Sequence, residues 1–349
     1  MRSFLRVVLV LFTPLCLQVL TAQSLDSLVV PGERHLRNIR QLTFGGENAE
    51  AYFSFGQDKL SFQSTRDTFQ CDQIYTMDLA GQNVHLVSTG NGRTTCSFYL
   101  PGDSLILYSS THMRDLRCPP KPDYSQGYVW AIYQGYDIFV ARTDGKIVRR
   151  LTDTDGYDAE ATVSPMGNRI VFTSVRDGDL DLYSMNIDGS DVRRLTNDVG
   201  YDGGAFYSFD GSSIVYRAYH PKDSIEANGY RSLLRQGLVR PSVMEIYVMN
   251  SDGTGKRQLT NKGAASFAPF FLPNGKQIIF ASNMNDPKGR NFDLFLLNTD
   301  GSGLEQVTFN DTFDGFPMFT ADGKRLVFAS NRNGRVKGET NIFLADWVR

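Results

Sequence analysis

"AEATVSPMGNRIVFTSVRDGDLDLYSMNIDGSDVRRLT", Ala159 to Thr196, holds one full period of the architecture. It alternates through "AEATVS" (Ala159 to Ser164), turns at "PMG" (Pro165 to Gly167) and runs on through "RIVFTS" (Arg169 to Ser174) and "DLYSMNI" (Asp181 to Ile187). A second turn at Asp188-Gly189 leads into "VRRLT" (Val192 to Thr196). These are four short β-type runs, A to D, punctuated by turn residues. Working outward, the closing element recurs as "IRQLT", "VHLVS", "VRRLT", "VRRLT", "KRQLT" and "LEQVT", ending at Thr43, Ser88, Thr152, Thr196, Thr260 and Thr308. A four-strand period of about 40–50 residues is the mark of a β-propeller blade. Six periods predict an all-β fold, a six-bladed β-propeller.

The turns have a mechanical basis. A tight hairpin needs positive φ, which glycine takes without steric penalty. Asp144-Gly145, Asp252-Gly253 and Asp300-Gly301 repeat the C–D turn; Asp210-Gly211, Asn274-Gly275 and Asp322-Gly323 serve between A and B. The chain ends on a C strand, "NIFLADW" (Asn341 to Trp347), and begins with an orphan D strand, "NIRQLT" (Asn38 to Thr43). The N-terminal strand is therefore expected to complete the last blade and remove an open edge.

Residues 1–22 read as a signal peptide. Arg2 and Arg6 precede an apolar run from Val7 to Leu20, with small residues Thr21 and Ala22 after it. The expected layout is a short segment over 23–37 and a single propeller domain over 38–349. The product should be periplasmic or secreted, not integral to a membrane after cleavage, and monomeric. A net charge of −2 and no basic stripe argue against nucleic acid.

The blade pattern "TSVRDGDLDLYSMNIDGSDVRRLT" and the sixth blade's "FPMFTADGKRLVFASNRNG" resemble the TolB-type propeller repeats. The resemblance covers Asn38 to Trp347 and is to the propeller part, since the N-terminal α/β domain of TolB has no room here. It implies a periplasmic propeller that binds partners. Related propellers, the oligogalacturonate lyases, hold a metal through histidines on the face where the B–C loops emerge.

That upper face carries the candidate site. Aligning the blades on their A–B turns places Asn48, Thr94, Asp158, Asp202, Ser266 and Asp314 in one ring at the channel mouth. Glu50, Cys96, Glu160, Gly204, Ala268 and Phe316 lie two residues further in. A third ring, where strand B ends, is Arg66, His112, Arg176, His220, Met284 and Arg332. The two blades with histidine there carry the long insertions, about 113–134 and about 221–243, the second containing a helix-like "IEANGYRSLLRQGL". Both should rise from the upper face and flank blade three. They would wall a ligand site lined by His112, His220, Arg176, Asp158, Glu160, Asp202, Asp314, Glu50, Trp130 and Tyr128, with Tyr230 beside them. Acidic neighbours that close repel, raise one another's pKa or bind a cation; otherwise they cap loops. The sequence demands no cofactor, but His112, His220, Asp158 and Glu160 would suit a divalent cation.

After signal cleavage three cysteines remain, Cys71, Cys96 and Cys118, all in one upper-face sector. The expected disulfide joins Cys96 to Cys71 or to Cys118; a soft-metal site with His112 is the alternative. No G-x-S-x-G elbow or H-E-x-x-H motif is present. The sequence thus favours a non-catalytic, exported recognition or scaffold propeller binding a protein or a cell-envelope glycan. The other reading is a metal-dependent lyase or hydrolase acting on a polysaccharide through His112, His220 and the acidic cluster.

Overall fold

The computed structural model describes residues 27–125, 127–286 and 288–349. The signal segment, residues 1–22, lies outside the described residues. Six four-stranded antiparallel sheets and one two-stranded ribbon account for the strands described. Blade three is β11 (Asp158–Val163), β12 (Arg169–Ser174), β13 (Asp181–Asn186) and β14 (Arg193–Arg194), in the meander order expected. The glycines of the turns take positive φ as required, +90° at Gly189 and +72° at Gly211.

Four of the six outer strands are only two residues long. β14 is Arg193 and Arg194, both exposed, and the motif's last two residues do other work. Leu195 is buried, and the Thr196 hydroxyl accepts the Leu182 N–H at 2.9 Å. The same hydroxyl position serves every blade: Thr43, Ser88, Thr152, Thr260 and Thr308 each accept a C-strand N–H at 2.8–2.9 Å. Each also donates to a polar side chain at the start of that strand, Asp181 in blade three and Glu245 in blade four. A buried N–H without an acceptor is costly, which is why the repeat ends on Thr or Ser.

The ring closes as expected. β1 (Leu36–Gln41) pairs antiparallel with β26 (Asn341–Trp347), and the last sheet reads β1-β26-β25-β24, with β25 at Arg325–Ser330 and β24 at Asp314–Phe319. The preceding segment is built into this blade. Glu33, 2% exposed, accepts both Nη atoms of buried Arg332 (2.8 and 3.1 Å), which also donates to Asp314 at 3.0 Å.

The central channel is plugged. Tyr52 of blade one meets Phe98 of blade two and, across the ring, Phe206 of blade four, each at 5.6 Å between ring centres; Phe206 meets Phe270 at 5.3 Å. Aromatic contacts of this kind add to the burial of large apolar surfaces.

Candidate functional site: the roofed channel mouth

Above the plug, every inner strand breaks its ladder at the same place. The A–B register shifts between Ala49 and Tyr52, Thr95 and Ser97, Ala159 and Thr162, Gly203 and Phe206, Phe267 and Phe270, and Gly315 and Met318. At each bulge one residue adopts left-handed backbone: Glu50, Cys96, Glu160, Gly204, Ala268 and Phe316, with φ from +43° to +59°. A β-bulge re-aims a side chain, and left-handed φ at a non-glycine residue is strained. This sixfold bulge is the second ring inferred from sequence. Blades one to three supply polar groups there, and blades five and six supply Ala268 and Phe316.

Blade four supplies glycine, and the reason is Arg217. Its strand β16 (Ser213–Tyr219) places Arg217 opposite Gly203. A Cβ on Gly204 would clash with the Arg217 guanidinium. Arg217 is 8% exposed and pairs with Glu160. It also donates to the Tyr201 hydroxyl at 2.7 Å, and that hydroxyl donates to Glu160 at 3.0 Å. Gly204 N and the Thr173 hydroxyl donate to the same carboxylate at 3.0 and 2.8 Å. The Trp130 ring lies 5.3 Å from the guanidinium carbon, a cation–π roof over the cluster.

Beside this group, the Cys96 thiol donates to Glu50 at 2.9 Å. Burial, and then the Glu50 charge, hold the thiol well above its usual range, so it is a protonated donor and not a thiolate nucleophile. The Glu50 carboxyl is pushed up from the ordinary 4.5 to about 7. Burial is the main cause; the Cys96 hydrogen bond works against it, and the nearby Glu160 charge adds to it. The folded protein therefore holds a proton here that the unfolded chain releases at lower pH. The stabilisation is fully present below the unfolded value and is lost as pH rises through about 7. Glu50→Gln should remove this slope. The stability advantage of the wild type over E50Q, read from urea melts, should shrink from about pH 5 to about pH 8. Parallel stability curves would show that Glu50 titrates like a surface carboxyl.

The insertions meet over blade three. Trp130–Ala131 (β8) pairs antiparallel with Leu238–Val239 (β17), and Ile132 N donates to Gly237 O at 2.7 Å. Between blade four and β17 runs α1 (Ser224–Leu234), N-capped by Asp223, which accepts from Ile225 N and Glu226 N. Tyr230 on α1 is buried; its hydroxyl contacts Asp179 at 2.5 Å and Gly200 O at 2.6 Å, pinning the helix to blade three. The result is a strap from blade two to blade four across the channel mouth. Tyr128, 64% exposed, sits on its outer side, accepts from Trp130 Nε1 at 3.1 Å and stacks with Tyr124 at 6.0 Å.

Other expected site residues pair within their own blades. Arg176 pairs with Asp158, His220 with Asp202 and Arg332 with Asp314, all at 3.0 Å and each within its own blade. His112 bonds the Ser110 hydroxyl at 2.8 Å and lies 4.4 Å from the Phe139 ring. Burial and the nearby Arg150 lower its pKa. For His220, burial pulls the imidazole down, but the Asp202 carboxylate outweighs it and leaves the pKa raised. The third ring thus packs on aromatics of its own blade: Arg176 lies 4.9 Å from Tyr183, and His220 lies 5.2 Å from Tyr247. The proposed ligand set His112, His220, Asp158 and Glu160 is not brought together. Among the described residues no group of three or more His, Cys, Asp or Glu could hold a metal ion.

The disulfide expectation is corrected. Cys71 is bonded to Cys118, with Cα atoms 5.7 Å apart, and Cys96 is the free cysteine among those described. The bulge turns Cys96 into the channel toward Glu50, away from the loops. Cys118 instead lies over the blade-one loop and ties the root of the strap to it.

Residues 121–233 match the TolB beta propeller domain family. No curated protein matches the sequence. Among solved structures, a putative TolB from Agrobacterium tumefaciens is 18% identical, with TM-score 0.55, over 87% of this chain and 91% of that one. TolB from Acinetobacter baumannii is 17% identical, TM-score 0.55, over 87% of this chain and 64% of that one. An oligogalacturonate lyase from Vibrio parahaemolyticus is 14% identical, TM-score 0.51, over 88% and 93%. At these identities the structural likeness defines the fold: a six-bladed propeller. The family match makes the stretch 121–233 similar to the TolB beta propeller domain.

Proposed function

We propose that the protein is an exported, non-catalytic recognition or scaffold propeller that binds a protein or cell-envelope ligand on its strapped upper face. One observation carries this reading: both long insertions are spent on one joined structure, β8–β17 with α1, which roofs the channel mouth and displays Tyr124 and Tyr128. Loops fixed on a rigid scaffold are where binding surfaces form. The polar groups beneath are paired with one another and covered by Trp130. A metal-dependent lyase or hydrolase would need His112 and His220 to turn toward one ion, and each is engaged in its own blade. The signal-like N-terminus supports export to the periplasm or outside the cell. No described helix is long and apolar enough to cross a membrane.

The test is a double variant, Tyr124→Ala with Tyr128→Ala. Exposed substitutions of this kind change stability by about 0.5 kcal/mol or less. Immobilised wild type should retain a partner from an envelope extract of the source organism, and the variant should lose it at unchanged melting temperature. Equal retention by both, or by neither, defeats the reading.

A further inference from the structure

Resting on that recognition reading, we propose the partner's chemistry: an extended acidic peptide segment with an apolar side chain, seated in the groove between the strap and blade three. The groove, of about 300 Å³, runs between the α1 part of the strap and the blade-three loop at Val175, Gly178 and Asp179, with Ile132, Leu234, Arg231, Arg235 and Gly237 on the strap side. Three features make it suited to an anionic chain.

The first is unspent charge. Arg231 and Arg235 are exposed, one helical turn apart, and their guanidinium groups have no acidic or hydrogen-bonding partner among the described residues. This differs from Arg176, Arg217 and Arg332, which all pair with acids. The acid in the groove does not neutralise them, because Asp179 is already committed. One of its oxygens accepts from the Tyr230 hydroxyl and Leu180 N, and the other accepts from Gly200 N at 3.1 Å.

The second is the state of the helix end. The C-terminus of a helix ordinarily repels anions through its free carbonyls. Here they are occupied: Arg231 O accepts from Arg235 N, Leu233 O from Gln236 N, and Leu234 O from Gly237 N, while Ser232 O accepts from Gln236 Nε2. The two guanidinium groups are left to set the local sign.

The third is the charge of the whole strap. The insertions, 113–134 and 221–243, carry seven Arg and Lys against four Asp and Glu, a net +3 in a chain whose net charge is −2. A basic lid on an otherwise acidic protein complements an acidic partner and steers its approach. Arginine pairs with carboxylates through two parallel hydrogen bonds. Half-buried Val175 and Leu234, packed on buried Ile132, supply the apolar anchor that fixes register. Gly178 has nothing within 4 Å of where a Cβ would sit, so the groove is open beside it.

The experiment uses fluorescein-labelled hexapeptides of alternating Leu and Glu, with alternating Leu and Lys as control, and reads anisotropy against the full mature protein. The Glu peptide should bind, weaken as salt is raised, and lose at least about tenfold in affinity in Arg231→Glu/Arg235→Glu. The Lys peptide should bind only the charge-reversed variant. Binding of the Glu peptide equal in wild type and variant, or equal binding of both peptides to wild type, overturns the inference. The extract experiment separates the two readings. A partner lost on Y124A/Y128A but retained by R231E/R235E leaves recognition standing and removes this groove from it. A partner retained by neither wild type nor variant defeats both.

Discussion

Removal of the chain through Thr43 should leave no cooperatively folded propeller. The deletion takes away β1 and so the ladder from Leu36 opposite Trp347 to Gln41 opposite Phe343. Leu36, Ile39 and Leu42 are 0%, 2% and 4% exposed. Each is worth about 1.5–3 kcal/mol by burial, roughly 5–9 kcal/mol for the three. The Thr43 hydroxyl that accepts Ile342 N is lost, and so is Glu33, leaving Arg332 with Asp314 and the Ser330 hydroxyl. A domain's whole stability is about 5–15 kcal/mol, so the loss is of the same order as the total. It also exposes β26 as a long apolar edge, a template for aggregation. The check is a thermal melt followed by circular dichroism, with a chain lacking only residues 1–27 as control. The control should melt cooperatively and the longer deletion should not. A melting point for the longer deletion within a few degrees of the control would mean that the ring does not depend on its closure.

Much of this was legible in the sequence because the information is repeated. Six copies of a Thr-terminated strand and the recurrent Asp-Gly turns locate the blades, and the missing D strand at the C-terminus predicts β1 against β26. The insertion sites were legible as interruptions of the period, and so was their rise from the upper face on either side of blade three. Their joining as β8–β17 was not, since two-residue strands carry no pattern. Charges placed in the first and third rings were read as a shared mouth. They instead pair within blades because each B-strand end lies beside its own A-strand start: Asp158 opposite Ser174, with Arg176 two residues on. Arg217 was missed, although the alignment marks it. Its equivalents are Gln63, Ser109, Thr173, Ala281 and Ala329, all uncharged. An arginine at that position, opposite a Gly-Gly in "YDGGAFY", is a local inconsistency of the kind that marks a special site. The Cys71–Cys118 bond was missed because the path of an insertion is not periodic, while Cys96 is turned inward by a bulge that alternation alone does not reveal.

Arg217→Met should destabilise the propeller by about 3–5 kcal/mol, the typical cost of removing one partner of a buried ion pair. Glu160 would keep three donors, Gly204 N, the Thr173 hydroxyl and the Tyr201 hydroxyl, but lose the cation it pairs with. Trp130 would lose the charge beneath it, a further contribution of about 0.5–2 kcal/mol from the cation–π contact. The partner substitution, Glu160→Gln, should also destabilise, because it leaves the guanidinium without a counter-charge beside Tyr201. The double variant should recover much of the loss. Glutamine's carbonyl can accept from the same donors, methionine fills the volume that Gly204 leaves open, and no charge remains to be desolvated. Urea melts of the four proteins form a double-mutant cycle, and the coupling should amount to about 1 kcal/mol or more. Additive single-site losses would mean that Arg217 acts by volume alone. The roof of the channel mouth would then rest on the packing of Trp130 against Phe267, whose rings lie 5.0 Å apart, rather than on the charge below it.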